Sequence, residues 1–240
     1  MQNDINFGTE FGKNFLSRRK YIDSAAAMEE AVLYFGMLPF FHNSVRGFSI
    51  AEMAAPGMLF GGNEGYEGCW EWKGPVIQQQ SAAYGKFFRR KAGFVSLELF
   101  PHFLNFRRAS YPVISGSTEE MLLEIIRENQ GITSTFLRKL INQAHAEMGS
   151  ESRVKRSSLE SPLQRLQMGG WLLIEDFEYK TTKRGEPYGW GVAKYSTPEL
   201  WFGNIEKVMV TPQESFNYLI EEISKRIPGV SSEKLSALLK

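Results

Sequence analysis

The sequence contains a single cysteine, Cys69, and only three histidines. One cysteine cannot form an intramolecular disulfide or a cysteine-rich zinc site, and its use suits a reducing compartment. The histidines, His42, His102 and His145, lie far apart and show no HExxH spacing of the kind found in zinc enzymes. We therefore expect no metal site, and we interpret Cys69 as a small apolar core residue.

Long apolar segments and nucleotide-binding motifs are also missing. No stretch reaches the roughly 18 uncharged apolar residues that span a membrane, and the N-terminus lacks the apolar run of a signal peptide. The motifs GxxxxGK[ST], GxGxxG and GxSxG are absent, so nucleotide hydrolysis, dinucleotide binding and serine-hydrolase chemistry have no support. We expect a cytoplasmic protein that uses no cofactor and does not contact a membrane.

Net charge is almost absent as well. The chain has 28 Lys and Arg residues against 27 Asp and Glu residues, so no strong field of one sign covers the molecule. A hydrophobic content of 42% over 240 residues is ample for a packed core. Any surface that attracts an anionic partner must therefore be local.

Positive charge is concentrated between residues 84 and 108, in a segment that is also rich in aromatic residues. Six cations (Lys86, Arg89, Arg90, Lys91, Arg107 and Arg108) face one carboxylate (Glu98), so the local excess is six minus one, or five. A helix here would bury the aromatic residues and present Lys86, Arg89 and Arg90 to solvent or to a phosphate backbone. Salt bridges from these cations to Glu71 or Glu98 are the alternative.

The sequence pattern divides the chain into four regions within an α+β fold that is mostly helical. They are a polar N-terminal arm (1–23), an aromatic and basic region (24–114), a second module (115–200) and C-terminal helices (201–240). Helices are predicted from the Ser24 cap to Phe35, after the Ser49 cap, from Pro212 to Arg226 and from Ser232 to Leu239. Glycines at 57–68 predict a long irregular loop.

The second module has the pattern of a winged helix-turn-helix. Apolar residues recur at helical spacing from Thr118 to Glu128, after Thr133 or Ser134, and from near Ser158 to Met168. Residues 171–179 and 189–195 have strand composition and enclose a turn-rich basic loop. Three helices followed by a hairpin, in this order, predict that fold.

A winged helix predicts a surface that contacts nucleic acid. In such proteins the third helix lies in the major groove and the wing reaches the adjacent backbone. The side chains suited to base edges are Gln164, Arg165 and Gln167, and those suited to phosphates are Lys180, Lys183 and Arg184. Residues 132–190 contain nine cations and seven carboxylates, so a non-catalytic protein-interaction module with solvated charges is the alternative.

Three segments carry a resemblance to a known family: the block from Trp70 to Arg108, LQRLQMGGWLLIEDF, and RGEPYGWGVAKYSTPE. They resemble the AlkZ-related proteins, which are bacterial relatives of the YcaQ/AlkZ winged-helix DNA glycosylases. The resemblance extends from about Met28 to the C-terminus. It implies a DNA-associated protein with DNA as its partner, and an active DNA glycosylase in base-excision repair is an alternative.

The same resemblance directs attention to candidate catalytic residues, although it leaves open whether the chain is an enzyme. The glycosylases of this group use a Gln-x-Gln or Gln-x-Asp pair, and Gln78 and Gln80 fit the first form within three consecutive glutamines. Glu71 is the candidate carboxylate, because Trp70 and Trp72 flank it. In an extended segment, however, both tryptophans would share one face and Glu71 would point to the other. A surface ion pair is therefore the alternative for Glu71.

Overall fold

The computed structural model describes residues 21–61, 67–147, 154–185 and 187–240. In these ranges the chain is α+β, with ten helices and two antiparallel sheets. The helices are α1 (Ala25–Phe35), α2 (Ile50–Met53), α3 (Cys69–Gln78), α4 (Phe100–Ser110), α5 (Thr118–Glu128), α6 (Ser134–Glu147), α7 (Arg156–Met168), α8 (Pro198–Phe202), α9 (Pro212–Arg226) and α10 (Ser232–Leu239). The strands are β1 (Met37–Pro39), β2 (Ala82–Phe88), β3 (Lys91–Ser96), β4 (Ile132–Thr133), β5 (Leu173–Thr181) and β6 (Pro187–Ser196).

Several helix ends follow directly from capping side chains. The hydroxyl groups of Ser24, Ser49 and Thr211 each accept a backbone N–H in the first turn of α1, α2 and α9. The predicted helices that begin at these caps are confirmed. None of the described helices is long and apolar enough to cross a membrane. Most of the predicted N-terminal arm, residues 1–20, lies outside the described residues, whereas Ile22 is buried and forms an isolated bridge with Ala54.

The basic segment around residues 86–90 forms a hairpin, and the helix considered for it is wrong. Strands β2 and β3 are antiparallel, with Tyr84 opposite Phe94, and β1 adds to the other edge of β3. Arg89 and Arg90 form the two-residue connection and both have positive φ, at 49° and 68°. Two consecutive positive φ values match the twist of a tight hairpin. A right-handed helix cannot accommodate them, because its residues have negative φ.

Two hydrophobic cores organise the fold. The larger core is formed by the first sheet, α1, α3 and α4, and the C-terminal helices α9 and α10 join it through Leu219 and Leu235. The smaller core contains α5, α6 and α7, with Leu122, Leu137 and Leu163 at its centre. The C-terminal helices thus complete the core of the N-terminal half, although the intervening module separates them in sequence.

The second module contains the predicted helices and hairpin. Helix α5 has the predicted bounds, α7 begins two residues before Ser158, and β4–β6–β5 form an antiparallel sheet. In α6, Leu137 and Ile141 are buried in the core, whereas Phe136 is 46% exposed. Strand β5 begins in the larger core, where Leu173 and Ile174 are buried.

Arg107 joins the two halves from a fully buried position in α4. Its guanidinium donates hydrogen bonds to the carbonyl groups of Met168, Leu239 and Phe87, which belong to α7, α10 and β2. Burial lowers the pKa of this guanidinium to about 10, while the nearby Tyr111 acts in the opposite direction. The six-cation block is therefore not a single surface, because one of its arginines is structural.

Candidate nucleic-acid interface

The connection between β5 and β6 carries three exposed cations. Lys180, Lys183 and Arg184 are all exposed, and no ion pair involves them within the described parts of the chain. The turn is stabilised locally, since the backbone N–H of Arg184 donates to Thr182 Oγ1 at 3.3 Å and Gly185 has φ of 83°. Strand β5 is nine residues long, so the turn lies on the order of 25 Å from Leu173, where the strand leaves the core.

An aromatic surface lies beside this hairpin, and we call it the Trp190 patch: Phe41, Phe60, Trp70 and Trp190. The Trp190 ring centroid is 5.0 Å from that of Trp70 and 6.0 Å from that of Phe60. Phe41 continues the cluster at 6.3 Å from Trp70. Trp190 is 69% exposed and Phe60 is 50% exposed, so two of the four rings are open to solvent.

The local sequence explains why Trp190 projects from the strand. Gly189 has φ of 75°, a left-handed conformation that favours glycine. A Cβ atom on Gly191 would lie 2.8 Å from the Tyr179 ring and 2.9 Å from Phe177 Cβ, so glycine there leaves room for both side chains. The ladder pairs Glu178 with Val192 and Lys180 with Tyr188, so three residues of β6 face one residue of β5, and Trp190 lies in the middle of this bulged stretch.

One cation of the β2–β3 hairpin, Lys91, lies next to the Trp190 patch. Lys91 Nζ donates to the carbonyl of His42 at 2.8 Å, next in the chain to Phe41. Arg89 and Arg90 precede Lys91 in the hairpin turn, and both are exposed. Carboxylates lie near the patch as well: Glu67 and Glu71 stand on either side of Trp70 in the chain, and Glu178 is on β5.

Lys73 lies fully buried beneath the patch. Its Nζ atom is 3.8 Å from the centroid of the Trp70 ring and 4.3 Å from that of Phe177, and it donates to the carbonyl of Trp70. Burial lowers the pKa of Lys73 to about 8, and the carboxylate of Glu71 partly opposes that shift. The sequence analysis missed this lysine, although Trp70, Val76 and Ile77 stand at helical spacing from it and were a signal of burial.

Three of the predicted nucleic-acid contacts meet at a cleft between β2 and α7. Lys86, Gln164 and Gln167 line a cavity of about 210 Å³. The other lining residues, which the sequence analysis did not single out, are Ser134, Leu159, Glu160, Leu163 and Tyr195. These residues come from four separate elements, so only the tertiary structure brings them together.

Gln167 has a structural role that the sequence analysis did not anticipate. It is 1% exposed, its Oε1 accepts the backbone N–H of Lys86 at 3.1 Å, and its Nε2 donates to the carbonyl of Leu163 at 3.2 Å. Both ends of the amide are therefore used in joining α7 to β2. A base contact by Gln167 would require breaking this junction, so its placement does not suit the predicted role.

Arg165 faces away from the cleft. Its Nε atom is 3.7 Å from Glu119 Oε1 of α5, and its guanidinium carbon is 5.6 Å from the Tyr111 ring centroid. Gln164 remains half-buried at the cleft, one residue earlier on α7. Of the three polar residues predicted to read base edges, Gln164 and Gln167 thus share the cleft, whereas Arg165 lies on another side of the helix.

Each of the three candidate catalytic side chains makes a hydrogen bond to a backbone group. Glu71 lies in the first turn of α3, which is helical rather than extended, and its Oε2 accepts the backbone N–H of Gly68 at 3.0 Å. Gln78 Nε2 donates to the carbonyl of Glu175 at 2.8 Å, and Gln80 Nε2 donates to that of Trp201 at 3.2 Å. These bonds connect the end of α3 to β5 and α8. Within the described residues, no group of three metal-binding side chains is formed.

Comparisons with known proteins support the resemblance seen in the sequence. Residues 22–240 match the profile of a protein family described as AlkZ related, which confirms that resemblance. Among solved structures, the chain is similar to the Streptomyces sahachiroi DNA glycosylase AlkZ, with 14% sequence identity and a TM-score of 0.49. The similarity covers 88% of this chain and 53% of the other, so the chain spans about half the length of that DNA glycosylase. No curated protein sequence matches the chain.

Proposed function

The chain belongs to the AlkZ-related family, and from that premise we propose that it is a DNA-binding protein whose β5–β6 hairpin is the wing of a winged helix. The observation that carries the proposal is the exposed cation group at the hairpin turn, Lys180, Lys183 and Arg184. Cations of this kind release condensed counterions when they neutralise phosphates, and this release supplies much of the affinity for DNA.

The third helix of the proposed winged helix, α7, contributes through its N-terminal half. Gln167 is buried against Lys86 and is not free to enter a groove, whereas Arg165 is exposed and makes only a weak surface ion pair with Glu119 at 3.7 Å. Ser157, Ser158 and Ser161 are exposed, and Gln164 is half-buried. Short hydroxyl side chains suit phosphate contacts better than bidentate base readout. The proposed binding mode therefore depends on the DNA backbone and has low sequence specificity.

The test is a salt series of fluorescence-anisotropy titrations with a labelled duplex. The variant replaces Lys180, Lys183 and Arg184 with alanine, and the control replaces three exposed cations on other elements, Arg127, Lys207 and Lys234. Both variants lose the same total charge. We expect the hairpin variant to bind more weakly and to reduce the slope of log K against log salt by up to about 3, because three phosphate contacts are lost.

Two results would overturn the proposal. If the two variants weaken binding equally, the effect is one of total charge and the hairpin is not the wing. If the unmodified protein binds no DNA at low salt, the cations at the hairpin turn serve another purpose, such as binding an acidic protein.

A further inference from the structure

We propose that the Trp190 patch stacks an unpaired nucleobase, so that the protein engages a single-stranded or displaced base beside the hairpin. This inference rests on the proposed function and adds a ligand class to it. Neither the hairpin cations nor the cleft at α7 requires an unpaired base. Stacking on the patch does require one, because the faces of bases inside a duplex are covered by their neighbours.

Two rings of the Trp190 patch are exposed to solvent. Tryptophan is highly buried on average, yet Trp190 is 69% exposed at a defined position in a strand. Phe60 beside it is 50% exposed. Aromatic side chains bind single strands by stacking on bases, and this contact tolerates any sequence because every base has a π-face.

Contacts with Trp70 and Phe60 hold the Trp190 ring in one orientation. It meets Trp70 at an interplanar angle of 79° and Phe60 at 78°, both edge-to-face contacts of favourable geometry. Trp70 is itself anchored from below by the buried Lys73. A ring fixed in this way loses little side-chain entropy when a base stacks on it, so the surface is preorganised for a planar ligand.

Positive charge near the patch favours a nucleic acid over an uncharged planar ligand. Trp190 lies between the ladder pairs Lys180–Tyr188 and Glu178–Val192, which places Lys180 within roughly 7 Å along the strand direction. Lys91 lies on the Phe41 side of the patch. Lys91 and Lys180 are both exposed, so a base on Trp190 would have cations within reach of its flanking phosphates.

The experiment compares a labelled oligothymidylate with a duplex of similar length, using the full chain. Trp190→Ala removes the ring, Trp190→Phe keeps an aromatic face, and Phe136→Ala removes an exposed aromatic residue from α6 as the matched control. We expect Trp190→Ala to weaken single-strand binding by about tenfold or more, with a much smaller effect on the duplex. Trp190→Phe should recover much of the affinity, and Phe136→Ala should leave it unchanged. Quenching of tryptophan fluorescence by the oligonucleotide should also decrease strongly in Trp190→Phe.

The outcomes separate this inference from the proposed function. Duplex binding that depends on the hairpin cations, together with single-strand binding that is unchanged in Trp190→Ala, overturns the stacking inference and leaves the proposed function intact. Equal losses for Trp190→Ala and Phe136→Ala also overturn it. Absence of binding to both DNA forms at low salt overturns both proposals.

Discussion

The ammonium group of Lys73 lies 3.8 Å from the centroid of the Trp70 ring, in a fully buried position where its hydrogen bond goes to the carbonyl of that same tryptophan. Burial disfavours the charged form of a lysine, whereas the electron-rich face of an indole favours it. The lowered pKa of about 8 shows that burial dominates. Lys73 therefore packs beneath Trp70, and the free-energy cost of burying its charge depends on pH.

This pH dependence can be measured by urea unfolding of the protein and of Lys73→Met. The folded-state pKa of about 8 lies below the value of roughly 10.4 expected for an unfolded lysine. Between these values the unfolded state binds more protons, so the contribution of Lys73 to stability increases as the pH rises from about 8 to 10. From about pH 8 to 10, the unfolding free energy of the unmodified protein should thus increase relative to that of Lys73→Met.

The control for this measurement is Lys234→Met, which removes an exposed lysine. Its difference from the unmodified protein should be constant from pH 8 to 10. A constant difference for Lys73→Met as well would mean that Lys73 is not desolvated in solution.

The turn at Arg89 and Arg90 predicts a trade between stability and binding. Both residues hold positive φ, which costs non-glycine residues of order 1 kcal/mol or more each. Replacing them with Asn and Gly, the preferred pair for such a turn, should raise the unfolding free energy by about 1 to 2 kcal/mol. The same variant should weaken DNA binding, because two exposed cations that precede Lys91 in the hairpin are lost.

A double alanine variant at Arg89 and Arg90 separates the two effects. It removes the same charges but keeps the unfavourable backbone conformation, so it should lose DNA affinity without gaining stability. If Asn-Gly leaves DNA affinity unchanged, these arginines do not take part in binding.

Arg107 should be among the residues most important for stability. It bonds to three carbonyl groups from α7, α10 and β2, and Arg107→Leu would leave these buried acceptors without a donor. We expect a loss of about 3 kcal/mol or more in urea unfolding, since each buried unsatisfied group costs about 1 to 3 kcal/mol. Arg127→Leu, at an exposed position in α5, should change stability by no more than about 0.5 kcal/mol. Similar small losses for both variants would contradict the role assigned to Arg107.

Cys69 should react only when the protein unfolds. The thiol is fully buried at the start of α3, and burial raises its pKa to about 12. Since the thiolate is the reactive form, alkylation at pH 8 should be at least about a thousandfold slower in the folded protein than in guanidinium chloride. Reaction at comparable rates under both conditions would show that the N-terminus of α3 opens readily.

Gln78 and Gln80 can be tested for the two roles they have been given. If they only join α3 to β5 and α8, each alanine variant should lose about 1 kcal/mol of stability through its hydrogen bond. An assay for abasic sites in duplex DNA that carries damaged bases addresses the glycosylase alternative. Base release by the unmodified protein that disappears in these variants, with DNA binding retained, would favour catalysis by the glutamine pair.

Local patterns were sufficient for the elements whose ends are set by nearby side chains. Thr118–Glu128, Pro212–Arg226 and Ser232–Leu239 have the bounds predicted from their caps and apolar spacing. The region 69–110 was harder to predict, because its helices and strands are buried on more than one face. In β2, Ala82 to Gly85 are consecutively buried, which removes the alternation that identifies a strand.

The sequence by itself determined which residue types were available for binding DNA: a basic turn in the hairpin, a basic segment at 86–91 and polar residues on α7. Only the tertiary structure decided which of them reach a common surface. Packing of α7 against β2 buries Gln167 and turns Arg165 toward Glu119, while the second sheet brings Trp190 to Trp70 across more than a hundred residues of chain. Exposure and proximity follow from contacts between distant segments, and local periodicity carries no information about such contacts.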